Sequence, residues 1–541
     1  MKRKSTNSQS KPVNRKISLL QLVGLSIAFF GSIRNVPQVA SAGYSAIMWM
    51  VISLVIFVVP MAFIAAELAT GWSKKGGPEV WAHEAFGKKW GFLVSWLLWV
   101  QMFFGMVIIA VGFATMFAFV IGDPLITTPW GNGIKSDKPH ALSTDPIYLL
   151  LMTIVIYWII TGLNIYSKKV GKSLVNIGAI IGIYIPFIFL TLFSIIFISQ
   201  RAVAGDFVNN IPGDFFPPST GGGVIPENAS GLQLFSQIMW IFIGLEIAST
   251  RANEIDNPKK NFSLGLLIVL VLMVAFNLGA GLLFAAIVPA GDIGLANAVI
   301  TPFQIITEYW NAPWLTNIFA LLMAFGMFTQ LNSWILGPSN AMYASATQGT
   351  MPLVFHKKTK KDVPITFVLI QAINVTIFAS LYALLTIVGA GNVFGILLNQ
   401  TIILYCIAYI IMIASFVKLK YSKPNVVRGF TVPGKKVGAW IVSVLALIGV
   451  VMAIVMTFFQ QQQTVIMLIV QDVVIYVGLT LVLVAIPLLI SLTKKFKNNS
   501  WLTAEEKKEI SQEEQESLSE EQSVTSNIDK VKHNDMINNN E

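Results

Sequence analysis

Charge is scarce in this chain. Of its 541 residues only 12% are Asp, Glu, Lys or Arg, about half the share of roughly 25% that soluble globular domains carry, and 55% are hydrophobic. A water-soluble fold has no way to hide that much apolar surface. Cysteine is nearly missing: Cys406 stands alone, so no intrachain disulfide can form. No HExxH, paired CxxC or GxxxxGK[ST] stretch occurs. That excludes the usual signatures of a metal hydrolase or an ATP-driven pump and leaves gradients as the energy source. No metal and no cofactor is expected. His83, His140, His356 and His533 fall in loops or the tail, so no histidine relay inside a membrane is expected either.

What the chain has in quantity is apolar runs of about 20 residues, the length that crosses a hydrocarbon core about 30 Å thick. Twelve are read, near residues 17–42, 46–68, 91–121, 147–163, 173–199, 232–252, 262–289, 314–337, 365–388, 391–417, 437–460 and 466–492. The fold class is therefore an all-α polytopic membrane protein. Three segments follow: a short N-terminal piece (1–16), the membrane domain (17–494) and a C-terminal tail (495–541). The stretch Lys2–Lys16 is too polar for the apolar region of a signal peptide, so it is expected to stay in the mature protein. With the N-terminus in the cytoplasm, only Lys135, Lys138 and Arg201 among the loop cations fall outside, while clusters such as Lys74/Lys75, Lys168/Lys169, Lys357–Lys361 and Lys418–Lys436 all fall inside. That asymmetry fixes the expected orientation, with both termini in the cytoplasm of a cell-membrane protein. It also accounts for the net charge of +10: cationic loops lie beside an anionic leaflet, and no nucleic-acid partner is needed. From Ser500 the tail holds 11 acidic and 4 basic residues. It has too little apolar area to repay its ordering entropy, so disorder with at most a transient helix is the default.

Charges inside spans cost about 2.5–3.5 kcal/mol each at a helix centre, so they mark function by default. Arg34 lies in the first run within Gly31-Ser32-Ile33-Arg34-Asn35-Val36-Pro37, and Glu246 in the sixth within Trp240-Ile241-Phe242-Ile243-Gly244-Leu245-Glu246. Gly and Pro loosen the helix at both places, and unwound backbone at membrane depth persists only where protein or a wet cavity satisfies it. Breaks five spans apart fit two inverted five-helix repeats whose broken helices meet at the midplane. Freed N–H groups there suit a substrate carboxylate and freed carbonyls its ammonium. The alternative is that Gly31, Pro37 and Gly244 are kinks or packing contacts. Arg34 can pair with a carboxylate on the substrate's side chain, or with Glu246 to fix the two breaks. Trp240 can roof a substrate or simply pack. Glu67, at the inner end of the second span, can serve in proton coupling or gating, or in an ion pair with the Lys74/Lys75 side.

Beyond these residues the chain resembles the amino acid-polyamine-organocation superfamily, and within it the glutamate:GABA antiporter family. The matching stretches are Ala40-Ser41-Ala42-Gly43, Ala65-Ala66-Glu67-Leu68-Ala69-Thr70, Gly76-Gly77 with Trp81, Gly244-Leu245-Glu246-Ile247-Ala248-Ser249, Asn257-Pro258 and Ser333-Trp334-Ile335-Leu336-Gly337-Pro338. The resemblance implies a LeuT-like fold of ten core helices plus two. It also implies exchange of an external amino acid for an internal one or its decarboxylation product, with Gly31, Ser32, Ile33, Arg34, Asn35, Trp240, Ile243, Gly244, Leu245 and Glu246 around the substrate. Arg34-Asn35 departs from the aromatic and acidic pair that the glutamate:GABA exchangers carry before this proline, so glutamate is not the required substrate. Some members carry a pH-responsive C-terminal plug; the tail here is long enough but holds a single histidine, His533. Two rivals use the same architecture: a proton-coupled amino acid importer, and a channel or sensor that does not exchange. An enzyme is not expected, because no nucleophile, base and orienting group cluster in the spans.

Overall fold

In lipid every backbone N–H and C=O must be satisfied within the protein, so apolar runs of this length fold as helices. A computed structural model describes residues 35–72, 77–121, 141–166, 178, 180–212, 230–244, 258–289, 298–389, 393–459, 469–508 and 510–512. Among these the regular elements are all helical. We number them α1 (Val36–Ala42), α2 (Ser45–Gly71), α3 (Pro78–Phe86), α4 (Lys88–Val120), α5 (Pro146–Tyr166), α6 (Ile180–Ala204), α7 (Ser230–Trp240), α8 (Pro258–Ile287), α9 (Thr301–Tyr309), α10 (Trp314–Thr350), α11 (Ile365–Ile387), α12 (Val393–Ser422), α13 (Lys435–Met456) and α14 (Thr480–Leu492).

Ten described helices are long and apolar enough to cross a membrane, and they coincide with ten of the twelve expected runs. The other two are the first and the sixth. Of these the described parts are α1, only 7 residues long, and α7, only 11. One boundary moves: α10 runs on past residue 337, through Pro338, to Thr350. A proline inside a membrane helix is tolerated when neighbours re-satisfy the freed carbonyl. Two of the histidines assigned to loops sit in helical turns instead, His83 inside α3 and His356 in Leu353–His356.

Two groups of helices are visible in the packing. The short α1 and α7 touch each other and lie against α2 and α8, with Val39 of α1 pressed onto Gly281 of α8. The long α4, α5, α10 and α11 pack among themselves, and α12 lies along α4. The middle of α4 is almost wholly buried, which makes it the central post.

One local device recurs. Widened turns span Leu54–Val58 and Ile180–Tyr184, just before Pro60 and Pro186. Each proline lacks the N–H that would bond the carbonyl four residues back, at Ile56 and Gly182, and the extra residue per turn relieves the ring's clash with it. Both carbonyls are met by a glycine from a neighbouring helix. A Cβ on Gly449 of α13 would lie 2.8 Å from the Ile56 oxygen, and one on Gly326 of α10 would lie 2.5 Å from the Gly182 oxygen.

The tail is held to the body where it begins. Lys88 Nζ donates to the Gly349 carbonyl at 2.9 Å and to Asn499 Oδ1 at 2.6 Å, Leu502 is buried, and His356 Nδ1 lies 2.7 Å from Glu506 Oε1. Residues 504–508 are helical. The expectation of disorder, where it concerns 513–541, and that of a pH-responsive plug fall on residues outside those described.

Candidate functional site: the break in the sixth span

Helix α7 ends at Trp240. The next three amides tighten into turns that reach back three residues, from Ile241 to Ile238, Phe242 to Met239 and Ile243 to Trp240, at 3.0–3.1 Å. Gly244 then takes φ +104°, a backbone region that a Cβ makes costly, so glycine is what lets the chain leave the helix here. The break lies where the sequence places it. Its amide is not left bare: Gly244 N–H donates to the Tyr409 hydroxyl of α12 at 3.0 Å.

Aromatic rings wall this turn. Trp240, half-buried, meets Tyr405 edge-on with centroids 6.4 Å apart, Tyr405 and Tyr409 are 5.0 Å apart, and Phe57 of α2 packs edge-on against Tyr409 at 5.4 Å. Ile243 is buried beside the break. Leu245 and Glu246, which follow it, lie outside the described residues, as do Gly31, Ser32, Ile33 and Arg34. Asn35 is described: it is buried and stands at the N-cap of α1. Pro37 sits in the first turn of that helix, where its missing N–H is an orphan in any case. The structure brings the described parts of the first and sixth spans together, since α1 and α7 pack on each other.

The C-terminal end of α1 is stoppered. Gly43 turns at φ +55° against Pro212, Tyr44 N–H bonds the Pro212 carbonyl at 3.2 Å, and Asn210 Nδ2 reaches the Ala286 and Ile287 carbonyls at the end of α8.

Glu67 lies elsewhere. It is ten residues beyond Phe57 on α2, roughly 15 Å along a helix, and only 1% exposed. Both its oxygens accept from Lys420 Nζ, at 2.6 and 2.8 Å; Arg428 Nη1 is 3.2 Å away and the Val432 N–H donates at 2.7 Å. Glu67 is thus ion-paired with α12 and the segment after it, and the pairing expected with the Lys74/Lys75 side falls on residues outside those described. Burial pulls the Arg428 guanidinium below its ordinary value, and Glu67 beside it pushes back. Sequence reasoning missed Tyr405, Tyr409, Lys420 and Arg428. The four-residue spacing of Tyr405 and Tyr409, which puts both on one face of a buried helix, is the local signal available for the tyrosines.

Residues 17–486 match the profile of the amino acid permease family. The chain is 28% identical over 439 residues to an uncharacterized transporter of Legionella pneumophila, covering 81% of this chain and 88% of that one. It is 29% identical over 437 residues to a glutamate/gamma-aminobutyrate antiporter of Lactococcus lactis, covering 79% and 81%. It is 25% identical over 420 residues to the putrescine transporter PotE of Escherichia coli, covering 76% and 84%. The break at Gly244, ten apolar spans and a match over most of the chain lead to one statement: the chain belongs to the amino acid permease family, whose members are multi-pass membrane transporters and not enzymes.

Proposed function

We propose that this permease is an antiporter working by alternating access, taking up an external amino acid against an internal amino acid or its decarboxylation product, with both termini in the cytoplasm. The observation that carries the reading is the break after Trp240, where Gly244 leaves the helix against the wall of Tyr405 and Tyr409. Such a break offers backbone groups to a zwitterion at membrane depth. Similarity to a glutamate/gamma-aminobutyrate antiporter supports exchange of this kind. Gly31 to Asn35 supply the other half of the site, Trp240 closes it, and Arg34 pairs with Glu246 when no substrate is bound. An unpartnered guanidinium at that depth is costly. Glu246 then carries the proton linkage, because burial beside a mobile charge moves a carboxylate toward the working pH.

Counterflow in proteoliposomes tests this. Labelled glutamate, aspartate, tyrosine, histidine, ornithine and GABA are offered to vesicles with and without unlabelled substrate inside. Uptake confined to loaded vesicles establishes exchange; uptake into empty vesicles under an imposed proton gradient replaces it with import. The same assay run against pH should lose its wild-type profile in Glu246→Gln, and a profile identical to wild type removes the proton role.

A further inference from the structure

The Glu67 cluster joins three separate pieces of chain. Its carboxylate ends α2, Lys420 comes from α12, and Arg428 and Val432 belong to the segment that leads into α13. Further bonds bind the same segment to α2. Thr70 Oγ1 accepts the Phe430 N–H at 3.0 Å, and the Arg428 guanidinium lies 5.3 Å from the centre of the Trp72 ring. Arg428 Nη2 also donates to the Leu419 and Lys423 carbonyls, so the end of α12 and the segment form one piece. The charges are dry: the side chains of Glu67, Lys420 and Arg428 are 1%, 10% and 7% exposed. Charges so placed attract far more strongly than a pair in water.

A second ion pair lies nearby. Lys423 reaches Glu84 of α3 at 2.8 Å, both partly exposed. The two pairs differ in what they join. Helix α3 packs on α4 and α12, so Glu84–Lys423 lies within one packed group. Helix α2 packs with α1 and with α7, which carries the Gly244 break, while α12 packs most extensively on α4 and touches α2 and α7 only slightly, α13 lying between α12 and α2. Glu67–Lys420 therefore crosses from the break-carrying helices to the scaffold helices. In alternating access by rocking, those two bodies move against each other around a fixed site. A contact with one partner on each body has to part when that end of the carrier opens.

From this we infer that Glu67 is a positioning residue for transport: with Lys420 and Arg428 it latches the end of the carrier where α2 and α12 finish, and holds that end closed in one half of the cycle. The inference rests on the alternating-access reading and not on which amino acid is carried. Removing the latch shifts the resting population toward the state open at that end, and an affinity measured from the opposite face falls with the fraction of carrier still facing it.

The test is the apparent KM measured separately from each face of oriented proteoliposomes. Glu67→Gln and Lys420→Gln should each raise the KM at the face opposite the latch by about tenfold without raising it at the latch face. Lys420→Arg should stay near wild type, and Glu84→Gln should leave the ratio of the two KM values unchanged. A lower melting temperature with both KM values unaltered makes the cluster a pin of the fold and overturns the latch. Where Glu67→Gln does not fold, Lys420→Gln against Lys420→Arg decides. If the wild type carries none of the amino acids offered, the functional reading fails, and the latch is read without substrate. Val432→Cys is placed in a Cys406→Ala background, Val432 being 3% exposed. Its alkylation from the latch face should then quicken several-fold with Lys420→Gln, and an unchanged rate overturns the latch.

Discussion

The Tyr409 hydroxyl and the Gly244 amide are 165 residues apart in the chain and 3.0 Å apart in space. Neither sequence neighbourhood announces the other. The glycine was legible, because an interruption of an apolar run by glycine beside a carboxylate is a local signal. The tyrosine was not, because an aromatic in a buried helix reads as core. Glu67 divides in the same way: a carboxylate inside a span is conspicuous from sequence, but its partner Lys420 is 353 residues away. A sharp test at this scale is Tyr409→Phe. It keeps the ring against Phe57 and Tyr405 and removes the hydroxyl that accepts the Gly244 N–H. An unsatisfied buried donor costs about 1–3 kcal/mol, which loosens the turn that shapes the site. The expected result is a lower melting temperature in detergent and a several-fold higher KM. A variant that matches wild type in both would mean that the Gly244 amide finds another acceptor.

At the scale of elements, hydropathy and length were sufficient for the ten unbroken spans, since the bilayer fixes how many apolar residues a crossing needs. The break at Gly244 was legible from the interruption of its apolar run, whereas the one expected in the first span falls on residues outside those described. Short α3 and α9 were not seen: nine residues each, they are too brief to stand out from the loops around them. The crossing of α6 and α10 carried a signal that went unread. Gly178 and Gly182 are four residues apart, a spacing that lets membrane helices approach closely. Thr329 of α10 fills the space over Gly178, and Gly326 meets Gly182 backbone to backbone. Pro186 leaves the Gly182 carbonyl without its amide, and the bare backbone of Gly326 comes up to it so closely that a Cβ there would lie 2.5 Å from the oxygen. Gly326→Leu should therefore separate the two helices. Overpacking costs about 1–3 kcal/mol or more where nothing can move, and here the obstacle is backbone. The checks are the melting temperature and the yield of monodisperse protein in detergent. Gly337→Leu on the same helix, where a Cβ meets nothing within 4 Å, is the control and should behave like wild type.

For the whole molecule, the proposed orientation rests on the charges. The segment between α12 and α13 carries Lys423 and Arg428, and α13 opens on Lys435 and Lys436. The segment after α6 carries no cation between Asp206 and Pro212, and Arg201 just before it is taken up by Asp206 at 2.6 Å. Segments rich in Lys and Arg stay on the cytoplasmic side, so the proposed orientation has the Glu67 cluster and the His356–Glu506 contact inside and the Pro212 stopper outside. The chain is well suited to a direct measurement, because its only cysteine, Cys406, is buried. In a Cys406→Ala background, single cysteines replace Val427 and Val203, which are 73% and 91% exposed. A membrane-impermeant maleimide applied to intact cells should label Val203→Cys and spare Val427→Cys, and in inside-out vesicles the pattern should reverse. The opposite pattern would turn the carrier over, placing the latch outside and the stopper inside; the face from which each KM is read would then exchange, while the link between Glu67 and the sidedness of transport would still be open to the same comparison of variants.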